Sequence, residues 1–254
     1  MTQKKTLKLP KLIGHRGVKD LCPENTLESI LKAFDLGLSF VEIDVKISKD
    51  GVPILLHDDR LERTTNGTGL AIDFEYDFLK KLDAGKFFYN SKTNNHIPKL
   101  IDVLDICKSR NRNLNIELKP NLNFEKKNVC KVLEICKNIE DIQIFYSSFD
   151  INSFIEISNA YNNSNRSFLI DSFNDYSLDD LFSITQKYNA NICGLNIEII
   201  SKEIIEKIKE HNLLVTVYSG KNIVETEAKE CFDMGVDSIF IDNPTELINN
   251  YNWF

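Results

Sequence analysis

No apolar run in this chain is long enough to cross a bilayer, and the opening Met1-Thr2-Gln3-Lys4-Lys5 carries lysines with no hydrophobic segment behind them. That argues against a stable membrane anchor and against export, so a cytoplasmic location is expected. No Cys-x-x-Cys pair occurs among the six cysteines, at positions 22, 107, 130, 136, 193 and 231, which are thinly spread along the chain. A zinc site is therefore not expected, and the thiols read as reduced, mostly core filler. A long basic block is missing too: 31 Lys and Arg stand against 38 Asp and Glu, a net charge of −7, which argues against a nucleic-acid partner or an anionic-membrane surface. No segment is biased enough in composition to count as low complexity. Histidine is scarce, with four in all.

What is present is a hydrophobic fraction of 42% in 254 residues, enough for a continuous core and within the range of one barrel or one large α/β domain, so residues 1–254 are read as a single domain. Short β-type runs alternate with amphipathic helical segments almost from end to end, the pattern of a parallel sheet built from βα units. The strands are expected at Leu12 to His15, Phe40 to Ile47, Leu114 to Lys119, Ile142 to Ser147, Ser167 to Ile170, Ile192 to Ile197, Leu214 to Tyr218 and Ser238 to Ile241. Helical patterns cover Thr26 to Leu36, Leu100 to Ser109, Phe124 to Lys137, Ile151 to Ala160, Leu178 to Tyr188, Lys202 to Glu210 and Ile223 to Asp233. Ser177 and Ser201 stand as N-caps, and Gly37 and Gly235 fall just past helix ends. Eight strands with intervening helices fit a (β/α)8 TIM barrel better than an open doubly wound sheet. Residues 58–98, with Thr64-Thr65-Asn66-Gly67-Thr68-Gly69 and a short helical piece at Phe74 to Leu82, break the rhythm. A stretch of that length is read as a small inserted subdomain over the barrel mouth.

In such a barrel the active site lies at the C-terminal ends of the strands, so the polar residues that close each apolar run carry the chemistry. The first strand ends in His15-Arg16, bracketed by Gly14 and Gly17, which brings a proton-transfer group and a fixed cation into one cleft. In Phe40-Val41-Glu42-Ile43-Asp44-Val45 the period of two puts Glu42 and Asp44 on one face, and in Leu114 to Lys119 it does the same for Asn115, Glu117 and Lys119. Buried carboxylates at that spacing repel one another, and a bound cation is the ordinary way to offset this. All-oxygen ligands select a hard ion, so one divalent cation, Mg²⁺ or Ca²⁺, is expected rather than zinc or copper. His57, followed by Asp58, closes an apolar run that reads as continuing the second strand beyond a Gly-containing turn. Two imidazoles titrating near neutral pH can divide general-base and general-acid work, which suits phosphodiester cleavage.

The ordered set His15-Arg16-Gly17, Glu24-Asn25-Thr26, Glu42-Ile43-Asp44, Asp50-Gly51, His57-Asp58 and Glu117-Leu118-Lys119 resembles the motifs of the glycerophosphodiester phosphodiesterase family. Leu82-Asp83-Ala84-Gly85, Ile97-Pro98-x-Leu100, Gly235-Val236-Asp237 and Asp242-x-Pro244 extend the resemblance over nearly the whole chain. It implies a metal-dependent TIM barrel that hydrolyses glycerophosphodiesters to glycerol 3-phosphate and an alcohol. Carried over by position, His15 and His57 are the acid/base pair, Glu42, Asp44 and Glu117 the metal ligands, and Arg16 and Lys119 the phosphate clamps. The chain departs from the family where Tyr218-Ser219-Gly220 stands in place of a tryptophan and then an asparagine, and Lys99 replaces a small hydroxyl residue. Tyr218 is expected to keep an aromatic wall beside the substrate.

Blander readings stand beside these. Glu117 and Lys119 could form only a strand-end salt bridge. His96, in a polar loop, and His211, after a helix, read as surface residues. Thr64 to Gly69 lacks the Gly-x-x-x-x-Gly-Lys pattern and reads as a tight turn rather than a phosphate cradle. Phe87, Phe88 and Tyr89 either line a greasy entrance or anchor the insertion. The rival functions are a lysophospholipase D-like phosphodiesterase or lyase on the same barrel, and a non-catalytic phosphodiester-binding barrel.

Overall fold

The computed structural model describes residues 7–250. Its strands are β1 (Leu12–Gly14), β2 (Phe40–Ile47), β3 (Pro53–Leu55), β4 (Asn113–Leu118), β5 (Ile144–Ser148), β6 (Asn165–Ile170), β7 (Ile192–Asn196), β8 (Leu214–Tyr218) and β9 (Ser238–Ile241). All but β3 run parallel in the order β1-β9-β8-β7-β6-β5-β4-β2, and a β1–β2 pairing at Gly14 and Val41 closes the sheet into a barrel. The helices are α1 (Leu27–Asp35), α2 (Tyr76–Leu79), α3 (Lys86–Tyr89), α4 (Leu100–Arg110), α5 (Glu125–Cys136), α6 (Ile151–Ala160), α7 (Leu178–Lys187), α8 (Lys202–Glu210), α9 (Glu225–Met234) and α10 (Thr245–Asn250). The fold is the expected (β/α)8 barrel, with Ser177 and Ser201 capping α7 and α8 and Gly235 ending α9 at φ 100°.

One expected strand changes character. The run that ends at His57 does not extend β2 but reverses and pairs with it antiparallel, Val45 opposite Leu55. Gly51 at φ 80° and a bond from Ser48 N to Val52 O make the reversal. Within 58–98 the helical pieces are short, Tyr76–Leu79 and Lys86–Tyr89, and the segment shares its own apolar cluster of Leu61, Ala71, Leu79, Leu82, Ala84 and Ile97 with Ile54 and Leu56. None of the six cysteines is paired, and five are buried. Among the described residues no helix is long and apolar enough to cross a membrane.

Period-two alternation makes the barrel a vessel with a greasy floor and a polar mouth. Ile13, Phe40, Phe145, Ile192 and Phe240 fill its lower interior. Two residues further along the same faces stand His15, Glu42, Ser147 and Asp242, with Asp44 above Glu42. The opposite faces, Leu12, Val41, Ile43, Val45, Leu114 and Ile116 among them, join the helices in the main core. Truncating a floor residue such as Phe40 to Ala would cost about 3–5 kcal/mol, because the cavity left beneath the site could not collapse.

Candidate active site

The turn after β1 is the most constrained piece of backbone at the mouth. Arg16 and Gly17 both have positive φ, 49° and 84°. A Cβ on Gly17 would lie 2.3 Å from Ser29 Oγ, and one on Gly14 would lie 2.3 Å from Gly17 O. Only glycine allows that approach. Ser29 Oγ holds the turn, accepting from Val18 N at 2.7 Å and donating to Arg16 O at 3.0 Å. This folding delivers His15 and Arg16 to the cavity side by side.

Register places the carboxylates together. In the β2–β4 ladder Asp44 pairs with Glu117 and Glu42 with Asn115. Glu42, Asp44 and Glu117 are all buried, and each offers an oxygen within 4.8 Å of the other two. Asn25, in the left-handed conformation at φ 56°, fixes Asp44 by donating Nδ2–H to Oδ2 at 2.8 Å and accepting from Asp44 N at 3.1 Å. Arg16 N donates to Glu42 Oε2 at 2.8 Å, whereas Glu42 Oε1 is buried with no hydrogen-bond partner. Arg16 Nε lies 3.2 Å from Asp44, and Lys119 Nζ lies 2.7 Å from Glu117 and 3.8 Å from Asp44.

Two cations against three carboxylates leave one negative charge unmatched, and the electrostatics follow. Burial, then Asp44 and Glu117, push the Glu42 carboxyl well above the usual carboxylate range. Burial also raises Glu117, against the pull of Lys119. For Asp44 burial works upward as well, but Arg16 and Lys119 outweigh it and bring the group down to about 2. A buried all-oxygen cluster with an orphaned Glu42 oxygen fits a hard divalent cation.

Each histidine is oriented through Nδ1. His15 Nδ1 lies 2.7 Å from Asp242 Oδ1, and His57 Nδ1 lies 2.6 Å from Asp58 Oδ1. An ionised carboxylate only accepts, so Nδ1 carries the hydrogen in each pair and Nε2 is the free nitrogen. Behind each carboxylate sits a cation: Lys19 Nζ is 3.1 Å from Asp242 Oδ2, and Arg63 Nε donates to Asp58 Oδ2 at 2.5 Å.

A single cavity of about 220 Å³ is lined by His15, Arg16, Glu42, His57, Glu117, Lys119 and Tyr218, which places every expected site residue but Asp44 on its wall. Asp44, a member of the carboxylate cluster, is only 1% exposed and is not on the wall. Tyr218 OH donates toward Ile170 O and Asp171 Oδ1 at 3.0 Å each, and its ring meets Phe149 edge-on at 5.3 Å. No residue of 58–98 lines this cavity, and Phe87, Phe88 and Tyr89 are exposed elsewhere, Tyr89 OH donating to Glu28 at 2.6 Å. His96 and His211 are exposed and outside the site, His211 stacked on Phe182.

Residues 15–246 match the sequence model of the Glycerophosphoryl diester phosphodiesterase family. The chain belongs to this family. A glycerophosphodiester phosphodiesterase of Bacillus altitudinis is 30% identical over 94% of this chain and 97% of its own. Another, from Caldanaerobacter subterraneus subsp. tengcongensis, is 28% identical over 94% of this chain and 96% of its own. Among solved structures, a phosphodiesterase of Oleispira antarctica in complex with the product sn-glycerol-3-phosphate has a TM-score of 0.88 and 27% identity, covering 95% of this chain and 96% of that one. Members of this family are phosphoric diester hydrolases, and so is this enzyme.

The sequence pattern brought forward both imidazoles and the three clustered carboxylates, but it left four contributors without a role. These are Asp242, Lys19, Arg63 and the buried Lys46, whose Nζ pairs with Asp59 at 2.7 Å. Lys46 continues the Glu42, Asp44 face by one more step of two, which is a signal the alternation already contained.

Proposed function

We propose that this enzyme hydrolyses glycerophosphodiesters to glycerol 3-phosphate and an alcohol, with His15 and His57 as the proton-transferring pair. The observation that carries this reading is that two Nδ1-anchored imidazoles and a cluster of three buried carboxylates open onto one cavity. One histidine takes a proton from the attacking hydroxyl, of water or of the neighbouring glycerol carbon, and the other protonates the departing alkoxide. Arg16 and Lys119, which both line the cavity, bind the non-bridging phosphate oxygens. Tyr218 and Phe149 form the wall beside the organic part of the substrate.

Glu42, Asp44 and Glu117 would hold one divalent cation, Mg²⁺ or Ca²⁺, which when bound supplies positive charge against the phosphoryl oxygens. Residues 58–98 form a subdomain at the rim that serves the site through His57's neighbour Asp58 rather than by lining it. Free, mostly buried thiols suit a reducing cytoplasm.

The test is to incubate the purified protein with glycerophosphocholine, glycerophosphoethanolamine and a lysophospholipid, each with Mg²⁺, Ca²⁺ or EDTA, and to measure released glycerol phosphate. The expected outcome is release from the first two, dependent on added metal and abolished by EDTA. Release from none under any metal condition would overturn the reading, and release from the lysophospholipid alone would replace it with that rival.

A further inference from the structure

Arg63 stands outside the cavity, yet its guanidinium joins the two sides of the site. Nε donates to Asp58 Oδ2 at 2.5 Å and Nη2 to Asp58 Oδ1 at 3.0 Å, while Nη1 and Nη2 donate to Glu24 Oε2 and Oε1 at 2.7 and 2.8 Å. Both carboxylates have a second task. Asp58 Oδ1 accepts from His57 Nδ1, and Glu24 Oε1 accepts from Arg16 Nη1 at 2.9 Å. An unbroken line of polar contacts thus runs His57, Asp58, Arg63, Glu24, Arg16.

We propose that Arg63 is a positioning residue for the reaction: by clamping Asp58 and Glu24 it sets the orientation and tautomer of His57 and the reach of Arg16 together. This rests on the two-histidine reading above. Three physical points carry it. Asp58 and Glu24 would repel each other if nothing stood between them, and Arg63 cancels that repulsion where it separates them. Serving two carboxylates at once needs a planar fork with donors on two edges, which arginine has and lysine lacks. Finally, Arg63 is 47% exposed, and ion pairs so wetted add little to folding stability, so its several bonds are better explained by geometry at the site than by the fold.

The backbone that presents Arg63 is itself built. Thr65 is buried, donates Oγ1–H to Leu61 O at 2.7 Å and N–H to the same oxygen at 3.0 Å, and accepts from Gly67 N at 3.0 Å. The Thr64 to Gly69 turn, which looked like simple punctuation, therefore fixes the root of the guanidinium.

The experiment compares Arg63→Ala and Arg63→Lys with Arg60→Ala, which removes a neighbouring exposed charge paired with Glu62. Readouts are kcat and KM on glycerophosphocholine, and the imidazole resonances of His57 and His15 by NMR. Expected are a kcat loss of about 10- to 100-fold in Arg63→Ala, the scale for losing an orienting partner behind a working group, and poor recovery in Arg63→Lys. Arg60→Ala should match the parent. The His57 Nδ1–H signal should shift while that of His15 stays. A parent-like kcat and His57 resonance in Arg63→Ala would overturn the proposal, as would full activity in Arg63→Lys. The resonances are read without turnover, so they decide His57's dependence on Arg63 even if the parent cleaves no diester; and if Arg63→Ala does not fold, Arg63→Lys supplies the same comparison.

Discussion

Both histidines of the site have a carboxylate at Nδ1 and a cation behind it, but the two assemblies come from opposite kinds of structure. Asp242 is 227 residues from His15 and reaches it only because β9 pairs with β1, Ile241 beside Gly14. Asp58 is the residue next to His57, and Arg63 is five further on, carried by a hairpin and a turn. The Asp242 side chain is 3% exposed, that of Asp58 30%. Barrel closure makes the first dyad, so it exists only when the whole sheet does. Local chain geometry makes the second, which leaves it open to water and adjustable without disturbing the barrel.

The comparison is broken most sharply by removing each imidazole. His15→Ala and His57→Ala should each lower kcat on glycerophosphocholine by about 10²- to 10⁴-fold, the range for losing a proton-transfer group. A substrate with p-nitrophenol as the leaving alcohol needs no acid, so the variant lacking the acid should recover to within about ten-fold of the parent while the other stays inactive. That assigns base and acid to the two dyads. Recovery of both variants, or of neither, would show that the two imidazoles do not divide the work.

A smaller effect separates the carboxylates. Asp242→Asn should cost about 100-fold in kcat and Asp58→Asn about 10-fold, the two ends of the range for residues that orient a working group. Exposure sets the order: water can take the place of Asp58, whereas nothing can reach the buried Asp242 position, where Lys19 would also lose its partner. Equal losses, measured at saturating substrate, would mean that burial does not grade the two dyads.

The same contrast explains what could be read from the sequence. Glu42, Asp44, Glu117 and Lys119 were legible because buried parallel strands allow few charges, and a period of two says which way each one faces. His57-Asp58 was legible because it is local. The Asp242 contact with His15 was not, since alternation tells that a residue faces inward but not which strand end will stand beside it. The run before His57 was misread as more of the second strand because an antiparallel return has the same alternation as a continuation. The four-residue helix Lys86–Tyr89 is too short to show a period, and Arg63, in a polar turn, looks like any solvated cation until Glu24 is brought against it.

The smallest expected effect lies in folding stability against pH. Burial holds both imidazoles below the ordinary 6.5, opposed at His15 by the Asp242 bond and at His57 by Asp44. The unfolded chain takes up these protons as pH falls through about 6.5, while the folded chain resists until a lower pH, so the unfolded state binds more protons there and stability declines with acidity. Above that value both states are neutral and neither histidine contributes. Glu42 works with the opposite sign, because its raised value makes the folded state the better proton binder, but it is common to every variant and cancels in differences. In EDTA-treated protein, denaturation midpoints between about pH 5 and 7 should therefore show a shallower slope in His15→Ala than in His57→Ala, since the His15 side chain is 13% exposed and that of His57 29%. A His57→Ala slope as shallow as that of His15→Ala would mean that solvent screens the two dyads alike, and the distinction between a closed and an open half of the site would fail.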